Sequence, residues 1–484
     1  MAAKPLMAVR WLSVWSAVFI ALGAYNALAE TFVEQQAAIE REYAKELATL
    51  AHWCDGKKLS NEATQTRAWI PPPQPLTLVV EVPDESLSEM PDGVSPQDEW
   101  RRRFRALRQD QAKRLFELAA GAANARDFAV AFQLVHATLR EDPEHEAARR
   151  LLGFKQHEGK WLSQYELTKA QANQQWHERF GWLPEKHVKR YESGERFFKG
   201  RWISADDDAR LHANIDRGWD IATEHYQVRT NHSLEEGVRL ASRLEEFYRV
   251  WRQVFVRYYS SDNELARLFR DGAPPNRAPR PHQVTYFHDR DEYNDALVRE
   301  QPQIRISTGY YSGNNRTAYF FAGPEQSDSN IYHEATHQLF SELKQVKEVG
   351  RDANFWIVEG IACFMESYKP GNRLVTLGGA DAVRLDNARV RLVRDDFHLP
   401  LAELCGLGMN DLQRHDDIKM LYSEAAGLTY FLMFADEGRY RQALVDYLAA
   451  VYANRDRRET LSELTKTSYR NLDEQYQKFI RHLP

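Results

Sequence analysis

The sequence predicts an α+β fold, mostly helical, with a small sheet near the middle of the chain. Three observations predict it. Apolar residues recur at three- and four-residue spacings over 32–54 and again from Asp98 to about residue 190, the pattern of amphipathic helices. From Trp219 the pattern changes to strand, helix, strand, helix and hairpin, and from Ser327 onward it is mainly helical. The composition, 43% hydrophobic and 28% charged over 484 residues, is that of a globular chain long enough for about two to four domains. Its net charge of −6 argues against nucleic acid as the main partner.

Residues 1–29 read as an export signal. Lys4 and Arg10 precede an apolar run from Trp11 to Ala24, and Ala27-Leu28-Ala29 supplies small residues for cleavage after Ala29. The alternative is an uncleaved membrane anchor over Trp11 to Ala29. Either way the expected place of work is outside the cytoplasm, periplasmic or secreted. The next segment, 30–97, holds the helix 32–54 and a Pro-rich linker from Ile70 to Gln97 with a lone strand, Leu76 to Val82.

The third segment, 98–217, is read as helical. Leu115, Leu118, Ala119 and Ala122, then Ala131, Leu134 and Leu139, suggest one tetratricopeptide-like helix–turn–helix, a surface for a protein partner. Gly159-Lys160-Trp161-Leu162-Ser163 is echoed by Gly200-Arg201-Trp202-Ile203-Ser204, read as a packing tryptophan after a tight turn. The basic run Arg101 to Arg105 is interleaved with acids and reads as a solvated helix face.

The fourth segment, 218–484, carries a strand from Trp219 to Thr230, a helix from Leu234 to Tyr259, a strand from His282 to His288 and a helix from Asp291 to Val298. Ile306 to Tyr311 and Thr317 to Ala322 flank Ser312-Gly313-Asn314-Asn315 as a hairpin. Three cysteines, Cys54, Cys363 and Cys405, allow at most one disulfide, whose pairing the sequence leaves open. His225, His282, His288, His398 and His415 are scattered and read as structural or solvated.

The chemistry falls on the helix after the hairpin, His333-Glu334-Ala335-Thr336-His337. At about 100° per residue the two histidines lie one turn apart on one face, so both imidazoles reach a single Zn²⁺ at roughly 2.0–2.1 Å. Glu334 then points at the ion's open position, where it can take a proton from a water whose pKa zinc lowers toward about 7. Asp328 and Ser329 offer an N-cap, and Ile331, Ala335, Leu339 and Leu343 a stripe for the core. A catalytic zinc needs a third protein ligand. Glu359, in the apolar run Phe355 to Met365, fits: a buried carboxylate there needs a cation or a donor, though an ordinary buried ion pair would also serve.

HEATH followed by W-x-x-E-G-x-A resembles the gluzincin metallopeptidases, and the Glu-Gly element is similar to the third-ligand helix of M1 aminopeptidases. With the export signal and the helical N-terminal region, the chain most resembles the DUF1570 family of exported bacterial proteins, over roughly residues 218–440. The resemblance implies a gluzincin-like domain with His333, His337 and Glu359 as zinc ligands and Glu334 as general base. It implies Glu366, seven after Glu359, as the carboxylate that orients a histidine. Tyr422, leading Ser423-Glu424-Ala425-Ala426-Gly427, is similar to the tyrosine that stabilises the tetrahedral intermediate, with a packing role as the alternative. No G-x-M-E-N segment precedes HEATH, so the acidic anchor for a free amino group is missing and internal cleavage of a protein or peptide is favoured. Gluzincins bind substrate along the edge strand before the metal helix; Thr317 to Gly323, with Tyr319, Phe320 and Phe321, is expected to be that strand and to select apolar or aromatic residues. The function expected is an exported zinc endopeptidase. The alternative is a non-catalytic protein-binding scaffold built on a metallopeptidase-like domain.

Overall fold

The computed structural model describes residues 12–70, 74–81, 93–272, 280–344, 348–371 and 374–483. The first eleven residues of the expected export signal, half of the Pro-rich linker and most of the loop before His282 lie outside these. Among the described residues no helix is long and apolar enough to cross a membrane. The chain is mostly helical with small sheets, an α+β arrangement. It divides into two compact units: residues 1–72, 81–153 and 260–274, and residues 73–80, 154–259 and 275–484.

The regular elements of the first unit are, Glu81 at a strand end apart, helices among its described residues. The segment predicted over 32–54 is part of a longer helix, Leu12–Gly56, followed by Ser60–Arg67. Pro96–Asn124 starts on a capping box, in which Ser95 and Asp98 satisfy each other's backbone amides, and Phe128–Glu141 follows it after a three-residue turn. Arg101 and Arg103 pair with Asp98 and Glu99 on the solvent side, as expected of a solvated face. At the centre lies Glu141, with only 2% of its side chain exposed. It accepts from Tyr43 Oη at 2.8 Å and Trp69 Nε1 at 3.0 Å, and pairs with Arg140 at 3.2 Å and Arg108 at 3.7 Å.

In the second unit helix does not continue to residue 190. Three hairpins stand there, each followed by a short helix: Lys155–His157 with Lys160–Leu162, Gln174–His177 with Gly181–Pro184, and Glu195–Phe198 with Arg201–Ser204. The paired tryptophan segments are the second strands of the outer two hairpins, and Ser163 and Ser204 cap the helices that follow. The middle hairpin repeats the design with Trp182. Gly159, Gly181 and Gly200 have φ of 79°, 73° and 84°, the left-handed turn conformation that glycine adopts without strain. Successive repeats stack, with Lys169 over the Trp182 ring and Arg190 over Trp202 at 3.9 Å.

The main sheet has five strands. The strand predicted over Trp219 to Thr230 is a hairpin, β1 (Trp219–Ala222) and β2 (Tyr226–Thr230). It turns where Thr223 bonds Tyr226 and where Glu245, from helix α1 (Leu234–Val254), takes the His225 amide and ring. Then come β3 (His282–Phe287), β4 (Tyr310–Ser312) and β5 (Thr317–Phe321), in the spatial order β4-β5-β3-β2-β1. β2, β3 and β5 run parallel, and the outer strands β1 and β4 antiparallel to them.

This order corrects the expected substrate strand. β5 is hydrogen-bonded on both sides, and Phe320 and Phe321 are buried, so the sheet's free edge toward the following helix is β4. Ile306, expected in the strand, ends a 3₁₀ turn instead. The lone strand expected at Leu76 to Val82 has a partner, as Thr77–Glu81 pairs with Leu374–Gly378.

Helix α2 (Asp328–Lys344) lies against the sheet. Its core face is Ile331, Ala335, Leu339 and Phe340, while Leu343 is 46% exposed, a correction to the predicted stripe. Ser327 rather than Asp328 caps it, accepting from the Asn330 amide. Gln338 donates to Gln283 O of β3, and Glu342 binds His282 and Arg316, so polar groups fix the helix's rotation on the sheet. Helices α3 (Trp356–Met365), α4 (Val383–Val393) and α5 (Ile418–Phe434) complete the frame. α3 and α5 meet at Gly360: a Cβ there would stand 2.5 Å from Thr429 Oγ1 and 2.7 Å from Ala425 O, so only glycine permits the approach. The three cysteines are free and buried.

Candidate metal centre

The HEATH turn sits in the middle of α2, so both histidines project from one face at fixed spacing. Glu359 enters from the first turns of α3, where every residue from Trp356 to Met365 is buried. His333 Nε2 and His337 Nε2 are 3.1 Å apart, and Glu359 Oε2 lies 3.5 and 3.6 Å from them. A tetrahedral ion with bonds of about 2.0–2.1 Å requires ligand atoms about 3.3–3.4 Å apart. The three groups therefore fit one small cation, with a fourth position left over.

The surrounding groups orient these ligands. His333 Nδ1 donates to Glu366 Oε1 at 2.8 Å, which leaves Nε2 as the acceptor facing His337 and Glu359. Glu366 caps the C-terminus of α3 and is gripped in turn by Arg384 of α4, Nε to Oε2 at 2.8 Å and Nη2 to Oε1 at 2.7 Å. Burial pushes the Glu366 carboxyl up, but the His333 and Arg384 hydrogen bonds outweigh it and hold it below the ordinary range. Burial likewise opposes ionisation of Glu359, and the His337 charge together with bonds to both histidines reverses that, lowering its pKa strongly.

Glu334 Oε2 accepts from the Tyr311 amide at 2.9 Å, an amide on the side of β4 turned away from β5. The chain at Gly309 runs so close that a Cβ there would be 2.9 Å from Glu334 Cγ. Tyr422, on α5, feels the Glu359 and Glu334 charges; burial first, then these carboxylates, raise its phenol far above 10. All six residues singled out from the sequence thus converge. Three participants were not singled out there: Arg384, the Tyr311 amide, and Cys363, whose buried thiol stands against His333. A backbone amide leaves no mark in the side-chain sequence. Arg384 lies 18 positions beyond Glu366 on another helix, with no local pattern to disclose it.

Of the histidines read as structural or solvated, His225 pairs with Glu245, His282 with Glu342, and His398 with Glu424 and Asp473. No curated protein matches this chain. Residues 327–456, which contain every group of the centre except the Tyr311 amide, match the model of the family described as protein of unknown function, DUF1570.

Proposed function

We propose that this protein is an exported zinc-dependent peptidase that cleaves peptide bonds internally, a gluzincin in its chemistry. The observation that supports it most is the triangle of His333 Nε2, His337 Nε2 and Glu359 Oε2, with sides of 3.1, 3.5 and 3.6 Å. Zinc held there would polarise a peptide carbonyl and acidify a water.

The chain's own groups divide the remaining work. Glu334 removes the water's proton and passes it to the leaving amine. The Tyr311 amide holds the Glu334 carboxylate in place, and Tyr422 is the phenol that donates to the substrate oxygen as negative charge develops. Glu366 keeps His333 in the tautomer that presents Nε2. An extended substrate would lie along the outer edge of β4, beside the Tyr311 amide that Glu334 already holds. The leader at residues 1–29 supports action outside the cytoplasm, and the helices over 96–141 would offer a protein partner a surface.

Metal analysis of the purified full chain and digestion of an unfolded protein test the proposal. About one zinc per chain in wild type and Glu334→Gln alike, with cleavage by the wild type alone, is the expected result. A wild-type protein without stoichiometric zinc, or equal cleavage by both, overturns it.

A further inference from the structure

Two sets of donors overlap at His333. One is His333, His337 and Glu359; the other is His333, Cys363 and Glu366, whose donor atoms also lie within 4.8 Å of one another. Donor chemistry alone does not favour the first, because an imidazole, a thiolate and a carboxylate make a good site for zinc, cobalt or cadmium. Something else must keep a cation out of the second set.

Arg384 has the position for it. Its guanidinium engages both oxygens of Glu366, one of which also accepts from His333 Nδ1. A cation in the second set would have to break the bond between His333 and Glu366 and then lie against a fixed positive charge. The planar fork matches the carboxylate in a way a lysine ammonium cannot, and its charge also reaches Cys363 and Glu359. We infer that Arg384 is a positioning residue that decides which donor set holds the ion, keeping it on His333, His337 and Glu359 and away from Cys363. This rests on the metal reading of the site.

The test uses the full chain loaded with Co²⁺, since thiolate ligation gives cobalt a near-ultraviolet charge-transfer absorption that histidine and carboxylate ligands do not. Wild type is expected to bind one Co²⁺ without that absorption. Arg384→Met is expected to develop it and to bind Zn²⁺ about 10–100-fold more weakly, the usual effect of losing a partner that orients a ligand. Arg384→Met combined with Cys363→Ser should lose the absorption again. Arg384→Met saturated with Co²⁺ but lacking the absorption overturns the inference, as does persistence of the band in the double variant. Should Arg384→Met not fold, Cys363→Ser alone decides: zinc affinity within about threefold of wild type is expected, and a tenfold loss would make the thiol a ligand in the native site. Failure of the wild type to bind either metal would instead sink the metal reading itself.

Discussion

Glu141 and Glu359 are both buried carboxylates on helices, one in each unit of the chain, and they differ in what surrounds them. Glu141 is ringed by groups that donate to it or carry positive charge: a phenol, an indole and two guanidiniums. Its lone pairs are satisfied within the fold. Glu359 faces two imidazole nitrogens, one of which, His333 Nε2, is made an acceptor by the bond on the other side of its ring. Acceptors that converge on one point require a proton or a cation between them. Burial of a charge therefore does not mark a functional site; the balance of donors and acceptors around it does.

The comparison can be broken at either end. The largest effect should come from Glu334→Gln, which keeps the ligand triangle and is expected to lower peptide hydrolysis by about 10²–10⁴-fold with zinc content unchanged, whereas His333→Ala should remove the zinc itself. Next, Glu141→Ala leaves Arg108 and Arg140 buried without their carboxylate and should destabilise the first unit by about 3–5 kcal/mol in urea unfolding. A loss below about 1 kcal/mol would show that Glu141 is not the satisfied partner described. Third, zinc at 100 times its dissociation constant should stabilise the wild type by about 2.7 kcal/mol and Glu359→Gln by far less, as read from unfolding midpoints with and without metal.

The smallest effect concerns a satisfied histidine. Burial pushes the His398 imidazole down, but its bonds to Asp473 and Glu424 and their charges prevail and raise its pKa to about 9. The charged form is thus preferred in the folded state. Its stabilisation is present in full below the ordinary histidine value of about 6.5 and is lost as pH rises through about 9. The gap in unfolding midpoint between wild type and His398→Gln should accordingly be wide at pH 6 and narrow by pH 10; a gap that widens would reverse the assignment.

How much of this was legible follows from the range of each signal. His333 and His337 could be read because helical periodicity fixes their geometry within five residues. Glu359 could be read because a lone acid in the run Trp356 to Met365 is chemically conspicuous. The three hairpins between Lys155 and Ser204 could not, since strands of three or four residues are too short to show alternation and the capped helices between them carry a helical pattern. Two of the repeats were visible as an echo. The middle one was hidden because Gly181 and Trp182 are adjacent and Pro184 replaces the serine. The edge strand was misplaced for a different reason: the hairpin is local, but the spatial order of β4 and β5 depends on β3, some thirty residues earlier.

The close passage of α3 and α5 at Gly360 makes the centre a matter of dimensional tolerance. Glu359 is rooted in one helix and Tyr422 in the other, and the spacing between them is gauged by a contact with no clearance for even one carbon. A methyl group at 360 would act as a shim, prising the phenol from the carboxylate while every reacting group kept its identity. Displacement of such groups by about 1 Å can lower a rate by about a hundredfold. The machinery could thus be put out of adjustment without losing a single part.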